Sequence, residues 1–334
     1  MSSTELKDPR IPVTILTGFL GAGKTTLLNH VLTSDHGQKI AVIVNEFGQV
    51  GIDNQLVVGA DEEIFEMNNG CICCTVRGDL IRILGDLLIK REGKDNGRSI
   101  DFDRVLIETT GLADPGPVAQ TFFVDEDIAQ AYRLDAIVTV IDAKHAPQHL
   151  DEGHEAQEQV GFADILLVNK TDLVTHEELL QLERRLRHMN PSAKLIRTQQ
   201  SKADWNQILG VNAFDLDKKL EVEPGFLTED HHHHNDEVTS LFFREERPLD
   251  LRKVERFLND WLVDHGADTF RYKGILKIRG VKQRVIFQGI HMLFSSYPDR
   301  DWSPSDPQLS EFVVIGRNLD ESWFREQFAA CVAV

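Results

Sequence analysis

Short apolar runs recur at Val13–Leu16, Ile40–Val44, Val105–Glu108, Ala136–Ile141, Ile165–Val168 and Lys194–Ile196, with stretches of helical spacing between them. Runs that are apolar at nearly every position, instead of every second one, predict strands covered on both faces. Their alternation with helices predicts a mainly parallel sheet with helices on both sides. A further helix is expected over Val76–Lys90. The regularity fails between Asp215 and Glu237, where acids, Pro224-Gly225 and consecutive histidines predict a linker or long exposed loop. Beyond it the pattern predicts a strand at Val238–Arg244, an amphipathic helix at Asp250–Val263, strands at Phe270–Ile278, Arg284–Phe294 and Phe312–Gly316, and a helix at Asp320–Ala330. The expected organisation is an α/β domain over 1–214, a linker over 215–237 and a smaller α+β domain over 238–334. A chain of 334 residues, 41% of them hydrophobic, can bury one substantial core and one smaller one.

The first apolar run leads into Gly18-Phe19-Leu20-Gly21-Ala22-Gly23-Lys24-Thr25, and helical spacing resumes from Thr26. Strand, glycine-rich loop and helix in this order form a phosphate-binding loop, so the α/β domain is expected to be a P-loop NTPase fold. Gly18, Gly21 and Gly23 let the backbone wrap closely round phosphates, and the N–H groups around Ala22, Thr25 and Thr26 point inward with the positive end of the helix. Lys24 is expected to reach the outer phosphates, and the Thr25 hydroxyl to ligate magnesium.

Two later strand ends refine this. Ile165–Val168 runs into Asn169-Lys170-Thr171-Asp172. A carboxylate accepts from the guanine N1–H and exocyclic amine, a donor pair that adenine lacks on that edge, so Asp172 is the candidate guanine reader. Asn169 would brace base and loop, and the Lys170 stem would cover the ring. GTP is the expected nucleotide. Arg104–Glu108 continues into Thr109-Thr110-Gly111. An acid at this place holds magnesium, directly or through water, and the glycine N–H senses the terminal phosphate. Glu108, longer than the commoner Asp, favours the water-mediated form or a role in orienting the attacking water. Asp142-Ala143-Lys144-His145 ends another strand and should face the same crevice.

Cys71, Cys73 and Cys74 place three of the four cysteines within four residues, after Asn69-Gly70 and just before a predicted helix. The chain opens without an apolar leader and contains no run of about 18 apolar residues, so a soluble, cytoplasmic protein with reduced thiols is expected. Clustered thiols then suggest metal or redox chemistry. Neither strand nor helix brings all three sulfurs together, so an irregular turn is required. A helix start beside it favours thiolate. Soft sulfur ligands select Zn(II), Cu(I) or related ions, and three ligands leave a position open for exchange. A structural zinc, a redox switch and simple burial stand as alternatives. The internal run His231, His232, His233 and His234 can collect borderline metals weakly, or be a solvated loop.

Thr17–Thr26, Asn45-Glu46-Phe47-Gly48, Asn69–Cys74, Glu108–Gly111 with Ala113-Asp114-Pro115, and Asn169–Asp172 together resemble, in order, the CobW/YjiA-like GTPases, most closely the YjiA branch. The likeness covers almost the whole chain. Such proteins are related to the nickel-insertion GTPases of urease and hydrogenase and are regarded as GTP-dependent metal chaperones. The resemblance implies GTP/GDP, Mg2+ and Zn2+, or Co2+ or Ni2+, as ligands. It also implies a Cys-x-Cys-Cys metal motif at Cys71, Cys73 and Cys74 and a nucleotide-responsive segment at Asn45–Asp53, in which Glu46 is a candidate magnesium or metal-linked switch residue or a salt-bridge partner; Lys24, Glu108 and Glu46 are the candidate catalytic residues. Many relatives carry an acid where Gln49 stands, and some where Val44 stands. These replacements weaken any second metal site there.

The net charge of −18 argues against nucleic acid and anionic membranes as main partners, since both require cationic surfaces. It suits a basic client or the holding of cations, and a monomer or weak homo-oligomer is expected. No arginine finger is identifiable, so unassisted turnover should be slow. The polar segments Arg271-Tyr272-Lys273-Gly274 and Gln288–His291 stand out in the last domain, whether as sheet cover or as contacts for nucleotide, metal or client. Two functions fit: a GTPase metal chaperone delivering to a client, or a nucleotide-gated metal store or sensor without one.

Overall fold

The structure, a computed structural model, describes residues 8–44, 64–66, 75–93, 100–213, 237–304 and 306–333. Glu46 and the segment 45–53, the cysteines Cys71, Cys73 and Cys74, and His231 to His234 lie outside the described residues.

The first sheet is seven-stranded and parallel throughout, in the order β3-β2-β4-β1-β5-β6-β7. Its strands are β1 (Ile11–Thr17), β2 (Ile40–Val44), β3 (Ile64–Glu66), β4 (Arg104–Glu108), β5 (Tyr132–Asp142), β6 (Ile165–Asn169) and β7 (Lys194–Arg197). The physical reason for their uniformly apolar sequences is that both faces are cores. Ile11, Val13, Ile15, Val105, Ile107, Leu166 and Val168 point into one cluster, and Leu16, Leu106, Val138, Val140, Ile165 and Leu167 into another. The second cluster is closed by α1 (Lys24–Thr33) through Leu27, Leu28, Val31 and Leu32. The first lies under α2 (Thr75–Arg91), α3 (Pro115–Val124), α4 (Glu126–Ala131), α5 (Ala146–Glu152), α6 (His154–Phe162) and α7 (His176–Met189).

The second sheet is antiparallel, in the order β11-β10-β9-β12-β8, from β8 (Val238–Glu245), β9 (Thr269–Leu276), β10 (Gln283–Ile290), β11 (Leu293–Asp301) and β12 (Ser310–Arg317). Its outer face carries α8 (Leu251–His265) and α9 (Glu321–Ala330) over Phe257, Trp261, Tyr272, Phe287, Phe312 and Phe324. Asp250 and Asp320 cap these helices, accepting from Arg252 N–H and Trp323 N–H respectively. Both had been expected inside their helices.

The expected single strand Arg284–Phe294 is two. The chain reverses at His291-Met292, with His291 at φ +49°, and Ile290 pairs with Leu293. A two-residue hairpin needs positive φ, and Met292 and Phe294 remain exposed, so apolar character runs through the turn and hides it. On its inner face the sheet shares a core with the nucleotide domain: Val238, Phe270, Ile290, Val313 and Ile315 pack in the same cluster as Phe162 and Val160.

Candidate nucleotide site

The loop after β1, Glu108 at the end of β4, Asp142 at the end of β5 and Asn169 at the end of β6 all emerge at the carboxyl edge of the sheet. That edge of an open parallel sheet is where ligands bind. The loop's glycines are required by geometry. Gly18 has φ +135° and a Cβ there would come within 2.3 Å of Val140 O; Gly23, at φ +110°, would collide with the Asn169 and Ser201 side chains. Gly23 is the N-cap of α1, so the helix start opens directly onto the loop.

Lys24 is buried and its Nζ donates to Gly18 O at 2.8 Å and Phe19 O at 3.3 Å. Burial pushes its ammonium below the usual lysine value, and the negative charge of Glu108 opposes that shift. The Thr25 hydroxyl donates to Glu108 Oε1 at 3.1 Å. Hydroxyl and carboxylate oxygens this close are a hard-oxygen donor pair of the kind magnesium takes. The Gly111 turn closes by Ala113 N–H donating to Thr110 O at 3.1 Å. It abuts the phosphate loop so closely that a Cβ on Gly111 would lie 2.7 Å from Leu20 N.

The Asn169–Asp172 segment is tied to the phosphate loop. Asn169, buried, donates from Nδ2 to Ala22 O and to Ser201 Oγ, both at 2.9 Å, and accepts from Ser201 N–H at 2.8 Å. Ser201 Oγ in turn donates to Gly23 O at 2.9 Å. Asn169 therefore ties the phosphate loop to the loop after β7. Lys170, at φ +60°, reaches back across the crevice, donating to Gly21 O at 2.8 Å and Asp142 Oδ2 at 2.7 Å. Burial raises the Asp142 pKa, but Lys170, His145 and the Lys144 N–H outweigh it and hold the carboxyl below its ordinary value. Asp172 stands exposed in the short turn Thr171–Leu173 at the rim. Phe19 of the loop lies against His149 of α5, ring centroids 3.9 Å apart.

Ser201 and Gln159 were missed by sequence reasoning. The Gln159 Nε2 donates to Gly111 O and Ala113 O, each at 3.2 Å. A serine in a polar loop and a glutamine in a helix carry no spacing signal; only the fold brings them to the site.

A phosphate-binding loop at the centre of a parallel sheet, facing an acid, a glycine turn and an Asn-Lys-Thr-Asp strand end, defines a P-loop GTPase. The chain belongs to the CobW family: residues 12–197 match the CobW/HypB/UreG nucleotide-binding domain and residues 238–332 the cobalamin synthesis protein CobW C-terminal domain. The zinc chaperone YjiA of Escherichia coli is 40% identical over 96% of this chain and 98% of its own length. The zinc chaperone CobW of Pseudomonas aeruginosa is 33% identical, covering 97% of this chain and 92% of its own. The crystal structure of zinc-bound YjiA GTPase from E. coli superposes with a TM-score of 0.79 at 35% identity, over 97% of this chain and 99% of that one.

Proposed function

We propose that this chain is a GTP-dependent zinc chaperone acting in the cytoplasm. Lys24 and the loop amides hold the phosphates, Thr25 and Glu108 hold magnesium, and Asp172 reads guanine. Bound there, magnesium supplies positive charge against the phosphate oxygens. Zinc is cargo, taken by Cys71, Cys73 and Cys74 as thiolates with release of protons, and passed to a client protein. Cobalt or nickel would bind less well, because zinc accepts distorted tetrahedral sites without ligand-field cost. Glu46 belongs to the segment that responds to nucleotide, and His231 to His234 gather metal weakly.

The observation that carries this reading is a register. Glu66, the last residue of β3, pairs with Val44, and Val44 pairs with Glu108. Two strand spacings amount to roughly 10 Å. The chain thus leaves β3 for the cysteines, and re-enters at α2 after them, on the edge of the sheet that carries the phosphate loop. Zinc-chaperone relatives aligned over nearly the whole chain support the same reading. A metal held there can sense whether the crevice contains GTP, and the coupling must be reciprocal.

The test is competition for zinc against a chelator with a GTP analogue, GDP or no nucleotide, on the wild type and Cys73→Ser. Zinc affinity should differ between nucleotide states and fall in the variant. Equal affinity in every state would leave a GTPase with a separate metal store, and unchanged affinity in Cys73→Ser would move the site elsewhere.

A further inference from the structure

The helix α6 touches both the nucleotide site and the C-terminal domain, through different sides. At about 100° per residue, Gln157, Glu158, Gly161 and Phe162 fall within an arc of about 140°, and Gln159 falls outside it. The first set meets the C-terminal domain. Gln157 Oε1 accepts from Glu237 N–H at 2.9 Å and Val238 N–H at 3.1 Å, where β8 begins. Glu158 pairs with Arg317 of β12. Gly161 leaves just enough room for Phe270, whose ring a Cβ would approach to 2.8 Å. Phe162 packs on Phe270 and on His291 of the hairpin turn, with ring centroids 5.1 Å and 4.9 Å apart.

Gln159 points the other way and is 1% exposed. Its side-chain amide has two hydrogens, and it has two carbonyls to give them to, Gly111 O and Ala113 O. These flank the turn that the Thr110 and Ala113 backbone closes. The helix holding Gln159 has little freedom of its own. Asn190 Nδ2 donates to Val160 O and Ala163 O at 2.8 Å, and Gln159 O accepts from Thr139 Oγ1 of β5 at 2.7 Å.

We propose that Gln159 is a positioning residue for GTP hydrolysis, fixing the Gly111 turn against the phosphate loop, and that α6 makes this hold responsive to the C-terminal domain. The inference rests on reading Gly111 as the backbone contact of the terminal phosphate. It does not depend on zinc, cysteines or a client.

The experiment compares kcat, KM and the separate affinities for a GTP analogue and GDP in the full chain, with Gln159→Met, Arg317→Ala and the double variant. Gln159→Met keeps the volume and removes both donors. It should lower kcat by at least about tenfold, leave GDP affinity within about twofold, and erase the preference for the GTP analogue. Arg317→Ala should lower kcat in the same manner but less, and the two changes should combine to less than their product, because they act on one element. Unchanged kcat in folded Gln159→Met overturns the proposal. So does equal loss of GTP and GDP affinity, the mark of a merely structural role, or strictly multiplicative effects in the double variant. Should Gln159→Met fail to fold, Arg317→Ala decides alone: an unchanged kcat overturns the proposal. Gly111→Ala separates the underlying reading: its Cβ would meet Leu20 N at 2.7 Å and must push the turn off the phosphate loop, so undiminished discrimination between GTP and GDP there would show that the placement of this turn does not govern binding of the terminal phosphate.

Discussion

The residues round the phosphate loop act by holding one another. Asn169 and Ser201 fasten Ala22 and Gly23 from behind, while Lys170 and Asp142 fasten Gly21 from the open side. Removing the Ser201 hydroxyl takes away one of the two donors to Gly23 O, leaving Leu27 N–H, and touches no ligand. Ser201→Ala should therefore weaken both GTP and GDP by roughly 1 kcal/mol, about fivefold, as isothermal titration would show. Asp172→Asn should act on the base alone: it exchanges an acceptor pair for a mixed amide and should weaken GTP by roughly 2–4 kcal/mol, narrowing the preference over ATP. A wild type that bound ATP as tightly as GTP would remove Asp172 from the role. Lys24, Thr25, Glu108, Gly111, Asn169, Lys170 and Asp172 could be nominated from the sequence because each lies at or just after a strand end with a fixed spacing, and the fold gathers them along the carboxyl edge of the first sheet. What the spacing did not tell was that Asn169 would be held by Ser201, which comes from a loop with no pattern.

At the level of elements, the seam between α6 and the second sheet is charged as well as apolar. Asp164, just past α6, accepts from Arg271 Nη2 at 2.5 Å and Lys273 Nζ at 2.9 Å, both on β9 and all three buried. The other Asp164 oxygen accepts from Ile137 N–H at 2.9 Å, so this carboxylate joins β5 to β9. Asp164→Ala would leave two buried cations without it and should cost about 3–5 kcal/mol in a denaturation midpoint. Burial, then the charge of Arg271, pushes Lys273 down to about 8, against the opposing attraction of Asp164. A lysine depressed from 10.5 contributes stability above that value and loses it as pH falls towards about 8. The protein should accordingly become more stable between pH 8 and 10.5 by an increment that Lys273→Met abolishes, measured as the difference between their melting temperatures. In the sequence Arg271 and Lys273 stood out as polar residues on an apolar strand, but the partner on another domain could not be read. The hairpin at His291 and the polar strand β11 were illegible for the opposite reason. A turn built from His and Met carries no glycine or proline signal, and β11 is an edge strand exposed on alternate positions, which leaves no continuous apolar run.

The two sheets of the described residues share one apolar cluster, which takes Ile11, Ile137 and Phe162 from the first sheet's side and Phe270, Val313 and Ile315 from the second. Heating should therefore give a single transition followed equally by a probe in either domain, with calorimetric and van't Hoff enthalpies in agreement. Two separated transitions would show that the seam is weaker than its burial implies. Among the described residues no helix is long and apolar enough to cross a membrane. During synthesis the nucleotide domain leaves the ribosome first, while β9 and β12 are still to be made. At roughly 5–20 residues per second, the face of α6 waits on the order of ten seconds for its cover. In that interval the nascent chain already possesses a complete phosphate loop and an uncovered greasy seam. A nucleotide or a folding helper that arrives early meets a protein whose GTP crevice is built before the domain that steadies it.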